Sequence, residues 1–270
     1  MQAPDDTVQV GDSALAIARS LLGGERKAIL LGNAAAHHAS ASRLLALAQW
    51  IGEHTGATVG YLTEAANTVG AQYAGAVPVN GGHNAGQMLA GSLKAAILLN
   101  TEPAFDSAGG EVACQALANT DMVVTLSPFK ANMAFSDVLL PIAPFTETSG
   151  SFVNAEGRLQ SFHAVVRPLG ETRPAWKVLR VLANLLNVPG FDFETSQDVL
   201  ARATNTPAGG IAEVSSVQLS NAQALLPQAA SPATGEPAVA SIYQLDGIVR
   251  RATSLQLTAD ARRTQEGAAA

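Results

Sequence analysis

Apolar positions recur with helical spacing over residues 13–23, at Leu15, Ala18, Leu21 and Leu22, and Gly23-Gly24 stops the run. The next segment, KAILLGN at 27–33, is a short unbroken apolar run ended by Gly32-Asn33, the pattern of a buried parallel strand. Leu44, Leu47, Ala48 and Ile51 restore the helical period over 40–54, with Ser40 placed to cap it. TVGYL at 58–62 predicts a second strand. A stretch with Gly70, Gly75, Pro78, Gly81, Gly82 and Gly86 reads as one long loop. The alternation then resumes with a strand at 95–100, a helix at 109–119, a strand at 122–126, a short helix at 130–135 and a strand at 137–142. Strands alternating with helices predict an α/β fold built on a doubly wound, largely parallel sheet. Ile29, Leu30, Leu98, Leu99, Val123 and Val124 are its expected fully buried centre.

Residues 149–166 break the pattern. Segments 151–154 and 159–166 read as two strands around Glu156-Gly157, a hairpin or irregular excursion. RPAWKVLRVLANLL at 173–186 is a strongly amphipathic helix with Pro174 near its start. A shorter helix is predicted near 195–203. Residues 205–237 are rich in Ala, Ser, Pro, Gly and Gln, the composition of a linker or draped arm. From Ile242 to Leu257 apolar and charged residues mix again, so this segment is expected to dock, and the last residues to fray. The expected organisation is an N-terminal helix (1–24), an α/β domain (25–204), a flexible linker (205–240) and a C-terminal docking segment (241–270) that completes an irregular C-terminal arm.

Composition narrows the function classes. The chain has 270 residues, 47% of them hydrophobic and 14% charged, which suits a packed core rather than disorder. A net charge of −6 argues against nucleic-acid binding, which favours a basic face. A single cysteine, Cys114, excludes a disulfide framework and any cluster held by several thiolates. Despite a mean hydropathy of +0.17, no segment reaches the roughly 18–20 uninterrupted apolar residues that span a bilayer. Gln-Ala-Pro-Asp5-Asp6 after Met1 is acidic where a secretory signal is basic. The expectation is a cytoplasmic protein, or one held at a membrane only through other proteins.

Few residues carry recognisable chemistry. His37-His38 follow a strand, at the edge where α/β proteins bind ligands, but they read first as a surface loop pair. None of the five histidines has a second ligand at metal spacing. Ala34-Ala35-Ala36 after Gly32-Asn33 spoil a phosphate loop, and no Gly-x-Ser-x-Gly elbow is present. Cys114, among Val112, Ala113 and Leu117, reads as a buried inert thiol. The most informative segment is 136–160, SDVLLPIAPFTETSGSFVNAEGRLQ. Its glycines let a backbone approach a ligand, and Asn154 and Arg158 donate to carbonyls or phosphates. The competing reading is a tight structural corner with an internal Glu147–Arg158 or Glu156–Arg158 pair.

That segment resembles the molybdopterin oxidoreductase family. There a strand of the type Asp-Val-Leu-Leu-Pro leads into Glu-x-x-Gly-x-Phe-x-Asn-x-Glu-x-Arg-x-Gln. Here the positions are Asp137 to Pro141, then Glu147, Gly150, Phe152, Asn154, Glu156, Arg158 and Gln160. Within the family, LGNAAAHH (31–38), GYLTEAANTVGA (60–71), LLNTEPAFD (98–106) and IYQLDGIVRRATSLQLTADA (242–261) are similar to the C-terminal part of the large iron–sulfur subunits of proton-translocating NADH:quinone oxidoreductase, respiratory complex I.

The resemblance implies a molybdopterin oxidoreductase-like domain in which Asn100, Glu147, Gly150, Asn154, Glu156 and Arg158 are candidates for a vestigial pterin pocket. It implies iron–sulfur clusters in an N-terminal half that this sequence lacks, so a C-terminal fragment or separately encoded remnant is expected. No catalytic residue, metal or cofactor is then expected on this chain. Its expected partners are the cluster-bearing half and other peripheral-arm subunits, at the cytoplasmic side of a bacterial inner membrane and without membrane insertion. The alternative is a cofactor-binding fragment of a molybdopterin guanine dinucleotide oxidoreductase such as a formate dehydrogenase. Only Arg158, Arg167 and Lys130 lie near the motif to serve its pyrophosphates.

Overall fold

A computed structural model describes residues 9–206, except 37, 39, 64, 92 and 108, and residues 241–268. Most of the expected linker, and His37, lie outside the described residues. The chain divides into two compact units, one holding the described residues up to Thr68 and the other those from Val69 onward. The division falls inside the stretch read as one domain at 25–204.

The first unit is a βαβ motif preceded by a helix. Helix α1 (Asp12–Gly23) ends where Gly24 N–H donates to Ser20 O at 3.0 Å, and none of its residues is buried. Strand β1 (Ala28–Leu31) pairs in parallel with β2 (Thr58–Tyr61), through the short α2 (Asn33–Ala36) and the longer α3 (Ala41–Thr55). Ala48 and Gly52 are the buried positions of α3. A Cβ at Gly52 would stand 2.6 Å from Val59 Cγ2, so a glycine lets this helix lie close against β2. The left-handed Gly56, at φ 72°, stops the helix. Ser40 occupies the N-cap position but makes no side-chain cap bond, contrary to the sequence reading. Its N–H instead donates to His38 Nδ1 at 2.9 Å.

The second unit is built on three parallel strands, β3 (Ala95–Leu99), β4 (Met122–Ser127) and β5 (Val138–Pro141), in the order β3-β4-β5. The expected glycine-rich loop contains two helices, α4 (Thr68–Tyr73) and α5 (Ala85–Ala90). Asn84 and Gln87 form a reciprocal capping box that starts α5. Between β3 and β4 run α6 (Pro103–Asp106) and α7 (Gly110–Ala118), which buries Ala113 and Leu117. The helix expected at 130–135 is a turn. Asn132 sits at φ 59°, outside helical geometry, and its Nδ2 donates to Thr101 O at 2.9 Å.

Among the described strands only β4 is central and covered, with Val123, Thr125, Leu126 and Ser127 all buried. Its polar groups are satisfied: Thr125 Oγ1 lies 2.7 Å from Ser136 Oγ, and Ser127 Oγ accepts from Phe129 N–H at 3.1 Å. The expected core therefore needs correcting. Val123 is fully buried, but Leu30 is 58% and Leu99 46% exposed, and Ile29, Leu98 and Val124 are half-buried. The sheets are small, so β1 and β3 lie at sheet edges and alternate between half-buried and exposed positions.

After β5 the chain forms an antiparallel hairpin, β6 (Gly150–Val153) with β7 (Leu159–Phe162). It is shorter than predicted. Helices α8 (Ala175–Leu185) and α9 (Ser196–Ala203) follow. The C-terminal segment forms α10 (Ile242–Leu245), a 3-10 turn at Val249–Arg251, α11 (Thr253–Gln256) and α12 (Ala259–Ala268). It packs against α6. Among the described residues no helix is long and apolar enough to cross a membrane.

Candidate functional site

The corner singled out by the sequence begins where β5 ends. Ile142 bridges Arg173 in parallel, and Ala143 N–H donates to Arg173 O at 2.9 Å. This pairing brings the start of α8 beside the strand end. A 3-10 turn at Phe145–Glu147 then leads into the hairpin. Glu147 Oε2 accepts from Leu169 N–H at 3.0 Å, which anchors the return loop.

Gly150 is a glycine for a packing reason. A Cβ there would stand 2.7 Å from Phe162 Cζ, because that ring lies across the backbone. Ser151 and Ser161 face each other on the two strands with hydroxyls 2.7 Å apart. At the hairpin turn, Asn154 Oδ1 accepts from Glu156 N–H at 3.1 Å and Arg158 N–H at 2.9 Å, while Gly157 takes φ 82°. The turn thus joins Asn154, Glu156 and Arg158 as expected, but through backbone groups. Among the described residues neither the Glu147–Arg158 nor the Glu156–Arg158 pair of the competing reading forms: Arg158 is exposed and Glu147 is bonded elsewhere. Asn100 lies apart from the corner at the end of β3, with φ 49° and its N–H donating to Leu126 O at 2.8 Å.

Beside the corner opens a cavity of about 560 Å³. Of the six pocket candidates only Glu147 lines it. Its other charged walls are Arg167, Arg173, Lys177 and Glu194, with the half-buried Trp176 among them. Arg173 is 3.5 Å from Glu171, and Lys177 Nζ lies 5.3 Å from the Trp176 ring centroid. Sequence reading misses Arg173 and Lys177 because they look like the polar face of an amphipathic helix. The Ile142–Arg173 bridge that positions them is long-range, and no local pattern signals it.

Titratable chemistry is sparse. The thiol of Cys114 is half-buried rather than fully buried. Burial, reinforced by Glu111, pushes its pKa up, which keeps it protonated and a poor nucleophile. Asp198 is held below the usual carboxylate range by hydrogen bonds from Thr195 in the α9 capping box. Among the described residues no group of three or more His, Cys, Asp or Glu side chains is placed to hold a metal ion.

A family model described as molybdopterin oxidoreductase matches residues 9–185. A protein named "Putative formate dehydrogenase" from Staphylococcus aureus strain bovine RF122 / ET3-1 is 38% identical over 100 residues, which are 35% of this chain and 10% of that protein. A protein of the same description from strain USA300 is 35% identical over 100 residues, with the same shares. The chain spans about a tenth of the length of these curated relatives.

Proposed function

Because the chain belongs to the molybdopterin oxidoreductase family, we propose that it is a non-redox C-terminal portion of the large iron–sulfur subunit in the peripheral arm of proton-translocating NADH:quinone oxidoreductase. One observation carries this reading. Asn154 Oδ1 and Glu147 Oε2 accept from the protein's own backbone N–H groups, and Phe162 lies over Gly150. Of Asn100, Glu147, Gly150, Asn154, Glu156 and Arg158, only Glu147 lines the cavity beside the corner, which supports a vestigial pocket. With one thiol, the chain has no cysteine set for an iron–sulfur cluster. The stretches at 31–38, 60–71, 98–106 and 242–261 support the assignment to complex I.

Under this reading the domain stabilises the cluster-bearing half and contacts neighbouring peripheral-arm subunits, on the cytoplasmic side of the inner membrane. Electron transfer from NADH to quinone belongs to the assembly, and no catalytic residue lies on this chain. The names of the curated relatives favour a second reading, a cofactor-binding fragment of a formate dehydrogenase-like enzyme. Purification of the tagged chain from its native cells separates the two. Recovery with an NADH-oxidising, iron–sulfur-containing assembly is expected. Recovery with formate-oxidising activity and stoichiometric molybdenum would establish the second reading instead.

A further inference from the structure

Open α/β sheets bind their ligands outside the carboxyl ends of the strands. In the second unit, the carboxyl ends of β3 and β4 lead into residues 100–106 and 128–132. Asn132 Nδ2, donating to Thr101 O at 2.9 Å, ties these two loops together. The C-terminal segment lies on both of them.

The segment is organised within itself. Asp246 Oδ1 accepts from Ile248 N–H at 2.9 Å and Val249 N–H at 2.8 Å. Gln256 Nε2 donates to Tyr243 O at 3.0 Å and Val249 O at 2.9 Å. This scaffold projects two consecutive arginines. Arg251 grips Glu102 with both terminal nitrogens, Nη1 at 2.8 Å from Oε1 and Nη2 at 2.9 Å from Oε2. Its guanidinium lies 4.0 Å from the centroid of Phe129, the ring supplied by the β4 loop. Arg250 Nη2 is 3.2 Å from Asp106 Oδ1 and 3.5 Å from Glu102 Oε1, with Phe105 at 4.5 Å. Only about a tenth of the Arg250 and Glu102 side chains is exposed. Fork geometry, paired carboxylates and aromatic plates are what distinguish a guanidinium site from one for lysine.

We propose that Glu102, Phe105, Asp106 and Phe129 form a binding site for a paired-arginine segment, that its occupant is residues 241–256 of this same chain, and that the segment seals the carboxyl edge of β3 and β4. The edge where the fold would receive a ligand is then closed from within. A competitor would have to be another arginine-rich segment, able to replace both guanidinium groups. The inference stands on the second unit alone.

Hydrogen exchange of the full chain tests it. In wild type, the amides of 241–256 and 100–107 should be protected together. Arg251→Ala should speed exchange in both segments by roughly tenfold or more, leaving β4 unchanged. Arg251→Lys keeps the charge but loses the fork, and should give an intermediate increase. It serves in place of Arg251→Ala if that variant does not fold. Reversal of the pair, Glu102→Arg with Arg251→Glu, should recover part of the protection. Free-peptide exchange of 241–256 in wild type would overturn the proposal. So would either substitution at Arg251 leaving 100–107 as protected as before.

Discussion

Replacing Gly150 with alanine asks whether that glycine serves packing or a ligand. The added methyl would stand 2.7 and 2.9 Å from Phe162 Cζ and Cε1, where contact normally begins near 3.4 Å. Phe162 must then move, and with it its contact to Phe152 at 5.3 Å across the hairpin. Overpacking of this kind costs about 1–3 kcal/mol. The narrower unfolded ensemble of alanine returns about 0.4–1 kcal/mol. The net loss should be about 0–2.6 kcal/mol, centred near 1.3 kcal/mol. Urea unfolding followed by Trp176 fluorescence, in a Trp50→Phe background, reads this unit alone, since the chain has two tryptophans. In a Phe162→Ala background the obstacle is gone, and Gly150→Ala should be neutral or slightly stabilising. An equal effect of Gly150→Ala in both backgrounds would refute the packing account.

Other substitutions follow from the same geometry. Arg158→Ala should change stability by less than about 0.5 kcal/mol in chemical denaturation, as for an exposed side chain without a carboxylate partner; a loss well above 1 kcal/mol would expose a missing interaction. Leu126→Ala should cost about 2–5 kcal/mol because that side chain is fully buried. Leu99→Ala, at 46% exposure, should cost clearly less by the same assay. The Asp198 carboxyl is held low in the folded state, so its contribution is present above the unfolded pKa and fades as pH falls through the folded one. Amide protection across α9, taken relative to the intrinsic exchange rate at each pH, should therefore fall as the solution is acidified below the ordinary aspartate range, and Asp198→Asn should remove that dependence.

Strands β1, β3, β4 and β5 are legible in the sequence because each is a short apolar run closed by Gly, Asn or Pro. Helix α8 is legible through its amphipathic period. Helix α5 is hidden among glycines, although Asn84 and Gln87 carry its capping box. The false helix at 130–135 fails on Asn132, whose left-handed backbone and bond to Thr101 O depend on a loop 31 residues away. Burial of Leu30 and Leu99 is overestimated because a strand's composition does not reveal how many strands flank it. Pairing Arg158 with the nearest carboxylates also misleads: Asn154 orders that turn through backbone N–H groups, and Arg158 is left in solvent. The arginine clamp is out of reach, since Arg251 and Glu102 are 149 residues apart and no local spacing pairs them.

The proposed function makes the corner at 147–160 a structural element of this family domain rather than a cofactor cradle. Titrating the full chain with molybdopterin guanine dinucleotide while recording its melting temperature tests this most directly. The account predicts no saturable shift, in wild type or in Arg158→Ala. A saturable rise in wild type that disappears in Arg158→Ala would contradict it and assign the corner to cofactor binding.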